Sequence, residues 1–142
     1  MNYSQHQASG LDQYKSVGVH ADVESASPHR LIQMLMEGAL EKINLAKGYV
    51  QRGEIALKAS HISWAISIID GLRMSMDKDS GGEIAQNLDS LYDYMGRRLV
   101  EANLHNNIEI LNEVAGLLLE IKLAWDAVPG LLQEQQNSTS NI

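Results

Sequence analysis

Ser27-Pro28-His29-Arg30-Leu31-Ile32-Gln33-Met34-Leu35-Met36-Glu37-Gly38-Ala39 carries a helix start and a helical stripe in one run. A serine side chain can accept from the unpaired N–H groups of a first helical turn, and proline at the first helical position loses no hydrogen bond. Ile32, Leu35, Met36, Ala39, Ile43, Ala46 and Val50 then recur at spacings of three and four, so they share one face. The spacing predicts a helix to about Arg52, with Gly53 as its natural stop.

Three more helices follow from the same rule. The second runs from about Glu54 to Met76, with Ile55, Ala59, Ile62, Ile66 and Ile69 on one stripe. Asp77-Lys78-Asp79-Ser80-Gly81-Gly82 reads as a turn. The third helix covers about Glu83 to Leu104, with Ile84, Leu88, Leu91, Met95 and Leu99 inward. Asn106 or Asn107 caps a fourth helix that ends before Pro129 and carries Leu111, Val114, Ala115, Leu118, Ile121 and Trp125. Four amphipathic helices with short links imply antiparallel neighbours, so the expected fold is an all-α, antiparallel four-helix bundle. The expected organisation is a polar N-terminal segment over 1–25, a bundle over 26–128 and a disordered tail over 129–142. The tail reading rests on the Gln, Asn, Ser and Thr residues from Gln133 onward.

Composition narrows the function. The chain has 142 residues, a net charge of −7, two prolines, no cysteine and no phenylalanine. One domain of this size buries a proper core. The absence of cysteine removes disulfides, thiolate metal sites and a cysteine nucleophile. The acidic balance shows no basic face for nucleic acid. Met1-Asn2-Tyr3-Ser4-Gln5 lacks the basic start and apolar run of a secretory signal. No apolar stretch approaches the roughly 20 residues that span a bilayer. Together these place the expected protein in the cytosol, without membrane insertion.

No catalytic constellation emerges. His6, His20, His29, His61 and His105 are scattered, and a di-iron bundle needs Glu-x-x-His repeated on two helices. Gly81-Gly82 has no following lysine or preceding strand and reads as a turn rather than a phosphate loop. Asp77 and Asp79 on that turn make a weak cation site. The expectation is a protein with no enzyme activity, no metal and no cofactor.

Helices one and two carry more apolar surface than a core requires. At about 100° per residue, Leu31, Met34, Leu45 and Tyr49 lie away from the first stripe of helix one. Leu57, Trp64 and Ile68 fall nearly opposite Ile55, Ile62 and Ile66. Singly, each of these residues can complete a broad core or meet the N-terminal segment. As a set, Leu57, Trp64 and Ile68 point to a partner surface, because large exposed apolar patches mark interaction sites.

Ala26-Ser27-Pro28-His29-Arg30-Leu31, Gly81-Gly82-Glu83-Ile84-Ala85-Gln86-Asn87-Leu88, Leu91-Tyr92-Asp93-Tyr94-Met95 and Ala102-Asn103 stand in one unbroken order. With Ala8-Ser9-Gly10-Leu11, Tyr14 and Ala124-Trp125, the pattern over about residues 8 to 126 resembles the flagellin export chaperone family, FliS. The resemblance implies a four-helix bundle with an N-terminal cap. It also implies binding of the C-terminal segment of flagellin, which wraps the bundle and becomes helical, and delivery to the flagellar type III export gate. In some members it implies binding of the anti-sigma factor that controls late flagellar genes.

On this reading Leu57, Trp64 and Ile68 form the flagellin groove, with Tyr92 at its border. Leu11 and Tyr14, three positions apart on one helical face, place the segment from Gly10 to about Ser16 over that groove in the free protein, to move when flagellin arrives; the competing reading is that after moving they touch flagellin directly. Two alternatives from other classes are a structural bundle that self-associates as a homodimer through the second stripe, and a regulator that sequesters a factor of late flagellar gene expression.

Overall fold

Ser27 does cap the first long helix. Its backbone is extended at φ −66° and ψ 163°, and its Oγ accepts from the Arg30 N–H at 3.1 Å, with Pro28 directly after it. The computed structural model describes residues 20–140. They form α1 (His20–Ser25), α2 (Pro28–Gln51), α3 (Ile55–Met74), α4 (Lys78–His105) and α5 (Ile108–Ser140). Leu11 and Tyr14, and most of the expected N-terminal cap, lie outside the described residues.

The links are short because their residues allow sharp reversals. Gly53 takes φ +71°, where L side chains are strained, and the N–H groups of Gly53 and Glu54 donate to the carbonyls of Val50 and Tyr49. Asn106 closes α4 in the left-handed region at φ 51° and ψ 42°. Asn107 opens α5 by accepting from the Ile110 N–H at 3.2 Å. Sequence left a choice between Asn106 and Asn107; each serves one helix.

The four long helices form a ring in which α2 packs on α3 and α5, and α4 packs on α3 and α5. Cross-helix contacts give the directions. Gln33 bonds Asp126 while Lys47 bonds Asn112, so α2 and α5 are antiparallel. Arg73 bonds Asp89 while Lys58 bonds the Asn103 carbonyl, so α3 and α4 are antiparallel too. Inside the ring, Ile43, Ile62, Met95, Leu99, Leu111 and Leu118 have no exposed surface. Each such side chain contributes about 1.5–3 kcal/mol through removal from water.

Three sequence-based details change. The segment after Asp77 is one helical turn rather than an open turn: Asp77 accepts from the Ser80 N–H at 3.1 Å, and Gly82 then breaks the helix at φ 58° and ψ −137°. Past that break, the buried face of α4 runs through Ala85, Tyr92, Met95, Leu99 and Ala102. Ile84 and Leu91, expected inside, are exposed, and Tyr92 and Ala85 take the inward positions. Finally, α5 runs through Pro129 to Ser140, across the residues read as a polar tail. Proline removes one donor, and the helix past it is exposed, with Val128 and Leu132 on either side lining an apolar groove.

The two glycines of the break have different duties. A Cβ on Gly81 would meet the Ala85 Cβ at 2.6 Å, whereas Gly82 has open space but a backbone that other residues avoid. Gly82→Ala is expected to lower stability by about 1–3 kcal/mol. Gly96→Ala, with open space and no positive φ, is expected to raise it by about 0.5–1 kcal/mol. Urea unfolding followed by circular dichroism measures both.

Candidate functional site

At one end of the bundle the helices do not close over their own apolar surface. The start of α2, the last turn of α3 and the 121–132 part of α5 leave a groove with two lobes that share Ile32, Ser75, Trp125 and Val128. The larger lobe, about 840 Å³, adds Leu35, Met74 and Leu132 among others. The smaller, about 520 Å³, reaches α4 through Ile84, Leu88 and Tyr92. Met74 is 86% exposed and Ile84 75% exposed at its margins. These are large apolar side chains in water beside an open apolar groove.

The polar groups in the wall are turned inward. Ser75 Oγ donates to the Leu72 carbonyl at 2.8 Å. Trp125 Nε1 donates to the His29 carbonyl at 3.0 Å, and its ring stacks on the His29 imidazole at 4.7 Å and 16°. What remains facing the groove is hydrocarbon, suited to the i, i+3, i+4 and i+7 anchors of an amphipathic helix.

Ion pairs brace the groove end from outside. Arg73 donates to both Asp89 oxygens at 3.0 and 3.2 Å, joined by Lys78 at 3.1 Å, which ties α3 to α4. Asp126 accepts from Gln33 at 2.8 Å, which ties α5 to α2, and from Lys122 one turn earlier on α5 at 2.7 Å. The Arg73 hydrogen bond holds Asp89 below its ordinary value of 3.8, and the Lys122 hydrogen bond does the same for Asp126.

A second apolar surface lies along the α2–α3 seam. Leu57 is 43% exposed and Leu45 is also exposed, while Trp64 is half-buried. Tyr49 and His61 pack ring to ring at 4.9 Å, and the Lys42 ammonium lies 3.7 Å from the Trp64 ring centroid. Of the sequence-derived set, Leu57 and Trp64 therefore share this face. Ile68, 0% exposed, is in the core. Tyr92, 3% exposed, lines the smaller groove lobe across the bundle, and burial pushes its hydroxyl up to about 12. The α3 sequence is apolar on nearly every side, so its stripe alone carried no phase. The groove itself was missed, because Ile32, Leu88, Ile121 and Trp125 read as ordinary core positions.

Among the described residues no three His, Asp or Glu side chains gather in a group that could hold a metal ion. Among them, too, no helix is long and apolar enough to cross a membrane. Fold and site together define an antiparallel four-helix bundle with a preformed apolar groove. The chain belongs to the FliS family: residues 10–131 match the model described as flagellar protein FliS. It is 50% identical over 118 residues to flagellar secretion chaperone FliSB of Pseudomonas aeruginosa, covering 83% of this chain and 94% of the relative. It is 47% identical over 122 residues to flagellar secretion chaperone FliS of Salmonella typhimurium, covering 85% and 90%. The corresponding protein of Bacillus subtilis is 33% identical over 103 residues, covering 72% and 76%.

The depressed carboxylates set the acid behaviour of the groove end. Because folding lowers the pKa of Asp89 and Asp126, their contribution is complete above the ordinary value of 3.8 and disappears as pH falls through the lower folded-state values. Acid titration followed by circular dichroism is expected to show a melting temperature that drops in that window. Asp89→Asn is expected to melt lower at neutral pH and to lose less on acidification.

Proposed function

We propose that this chain is a flagellar secretion chaperone that binds the C-terminal segment of flagellin and, without covalent chemistry, keeps it from polymerising early. The single observation that carries the reading is the open groove walled by Ile32, Trp125 and Val128 in a bundle whose core is otherwise closed. A segment that polymerises through its apolar face needs that face covered, and a helix-in-groove surface covers it. The exposed seam at Leu57 and Trp64 is a second apolar surface, on which a longer client segment continues. Relatives at 47–50% identity carry the name flagellar secretion chaperone, which supports the same role in the cytosol.

Delivery follows from the binding mode. Folding a disordered client on binding costs ordering entropy, which keeps affinity moderate and helps release at the export gate. The same apolar surfaces suit an anti-sigma factor as a second, competing client.

Mixing the purified chain with flagellin tests the proposal. Polymerisation is expected to stop at about one chaperone per flagellin, and flagellin lacking its C-terminal segment is expected to polymerise unhindered. Met74→Asp and Ile84→Asp place charge at exposed groove margins, where the fold tolerates it. Each is expected to weaken flagellin binding by about 2–4 kcal/mol by calorimetry. Trp64→Asp is expected to weaken it similarly at the seam. Undiminished affinity in all three folded variants would sink the reading. A chain that dimerises on its own and ignores flagellin would instead favour the self-associating bundle.

A further inference from the structure

Lys42 is charged yet only 7% exposed, and its ammonium lies 3.7 Å from the centre of the Trp64 ring. An ammonium carries three donors and wants acceptors for them. Among the described residues, the acceptor for Lys42 is Glu41 Oε1 at 3.5 Å, the far limit of a hydrogen bond, from a side chain that is itself 56% exposed. Beside it, Trp64 Nε1 is buried with no hydrogen-bond partner among the described residues. Two donors thus meet at one node of the seam with little to receive them. Burying such groups is unfavourable until an acceptor arrives.

The surroundings show where that acceptor enters. The node is not in the core: Leu45 on the same helix and Leu57 on α3 are exposed on the same seam. The nearby cation at Arg52 is already matched by Glu54 at 2.9 Å. In a chain of net charge −7, the counter-ion of Lys42 among the described residues is the solvent-exposed Glu41 at 3.5 Å, and Lys42 is set among apolar residues that a docking helix would cover. Covering it without supplying negative charge would complete its desolvation, so the complementary partner brings a carboxylate.

We propose that Lys42, framed by Trp64, is a specificity determinant that reads an acidic side chain on the client helix. A client Asp or Glu accepts from Nζ while neighbouring apolar client residues pack on Leu45 and Leu57. The cation–π contact holds the ammonium in place before the client arrives, which sets the register of the bound helix. This inference rests on the client-binding role proposed above.

The test is a double-mutant cycle with the full chain. Lys42→Met keeps the side-chain length and removes the charge, and its melting temperature is expected to equal or exceed that of the wild type. Binding of a flagellin C-terminal peptide is expected to weaken about ten- to a hundredfold, with a flatter response to salt. Lys42→Arg is expected to retain part of the affinity. A peptide whose acidic residues are replaced by their amides is expected to bind the wild type weakly and Lys42→Met no more weakly still. Wild-type affinity and salt response in Lys42→Met, or losses that simply add, overturn the proposal. If Lys42→Met does not fold, the amide peptides on the wild type decide, and undiminished binding of all of them overturns it. If the wild type binds no flagellin peptide, the client reading itself has failed. The cycle is then run with amphipathic helical peptides differing only in Glu or Gln, and equal binding of the two overturns the present inference.

Discussion

The packing of α2 on α3 is the contact on which the other features depend. It is the most extensive association in the ring, and Ala39, Ala46 and Ala65 are all fully buried. Small side chains allow helix axes to approach closely, after which larger residues fill the layers above and below. Ile43, Ile62 and Ile69 do so here. Once this pair is set, one side of it becomes the core and the other the exposed seam with Trp64 and Leu57. Its groove end is left for α5 to cover only in part.

That incomplete cover separates a binding protein from an inert bundle. A core closed on all sides would be more stable, and the chain has the apolar side chains to build one. Instead, Met74 and Ile84 stand exposed, and Trp125 is held in the wall by the His29 carbonyl rather than folded inward. Exposed hydrocarbon is unfavourable in the free protein, and such patches mark surfaces suited to a partner. The Arg73–Asp89 ion pair joins α3 to α4, and the Gln33–Asp126 hydrogen bond joins α2 to α5, at the groove end. Their individual contributions to stability are small because they are partly solvated; their geometric contribution is the shape of the groove.

Much was legible in the sequence for reasons that are local. The Ser27-Pro28 start, the Gly53 stop and the paired asparagines at 106 and 107 act within a few residues of themselves, through caps and left-handed backbone. The stripes of α2 and α5 follow from helical periodicity alone, and Leu111, Val114 and Leu118 are buried as that periodicity requires. Four such helices with short links leave the antiparallel bundle as the natural arrangement, and the ordered motifs from Ala-Ser-Pro to Ala-Trp already marked the family.

What only the tertiary structure decided is which apolar residues face inward and which stay exposed. On α3 nearly every side is apolar, so Ile68 in the core and Leu57 at the surface are distinguished by where α2 and α4 lie, not by their own positions in a pattern. On α4 the packing against α3 and α5 covers Tyr92 and leaves Ile84 exposed at the groove margin. The groove required three helices to converge and stop short of one another, and its residues come from positions as far apart as Ile32 and Leu132. Periodicity records the direction of a side chain about its own helix axis. Whether a neighbour stands in that direction depends on packing between segments distant in the chain, and only the folded molecule contains that information.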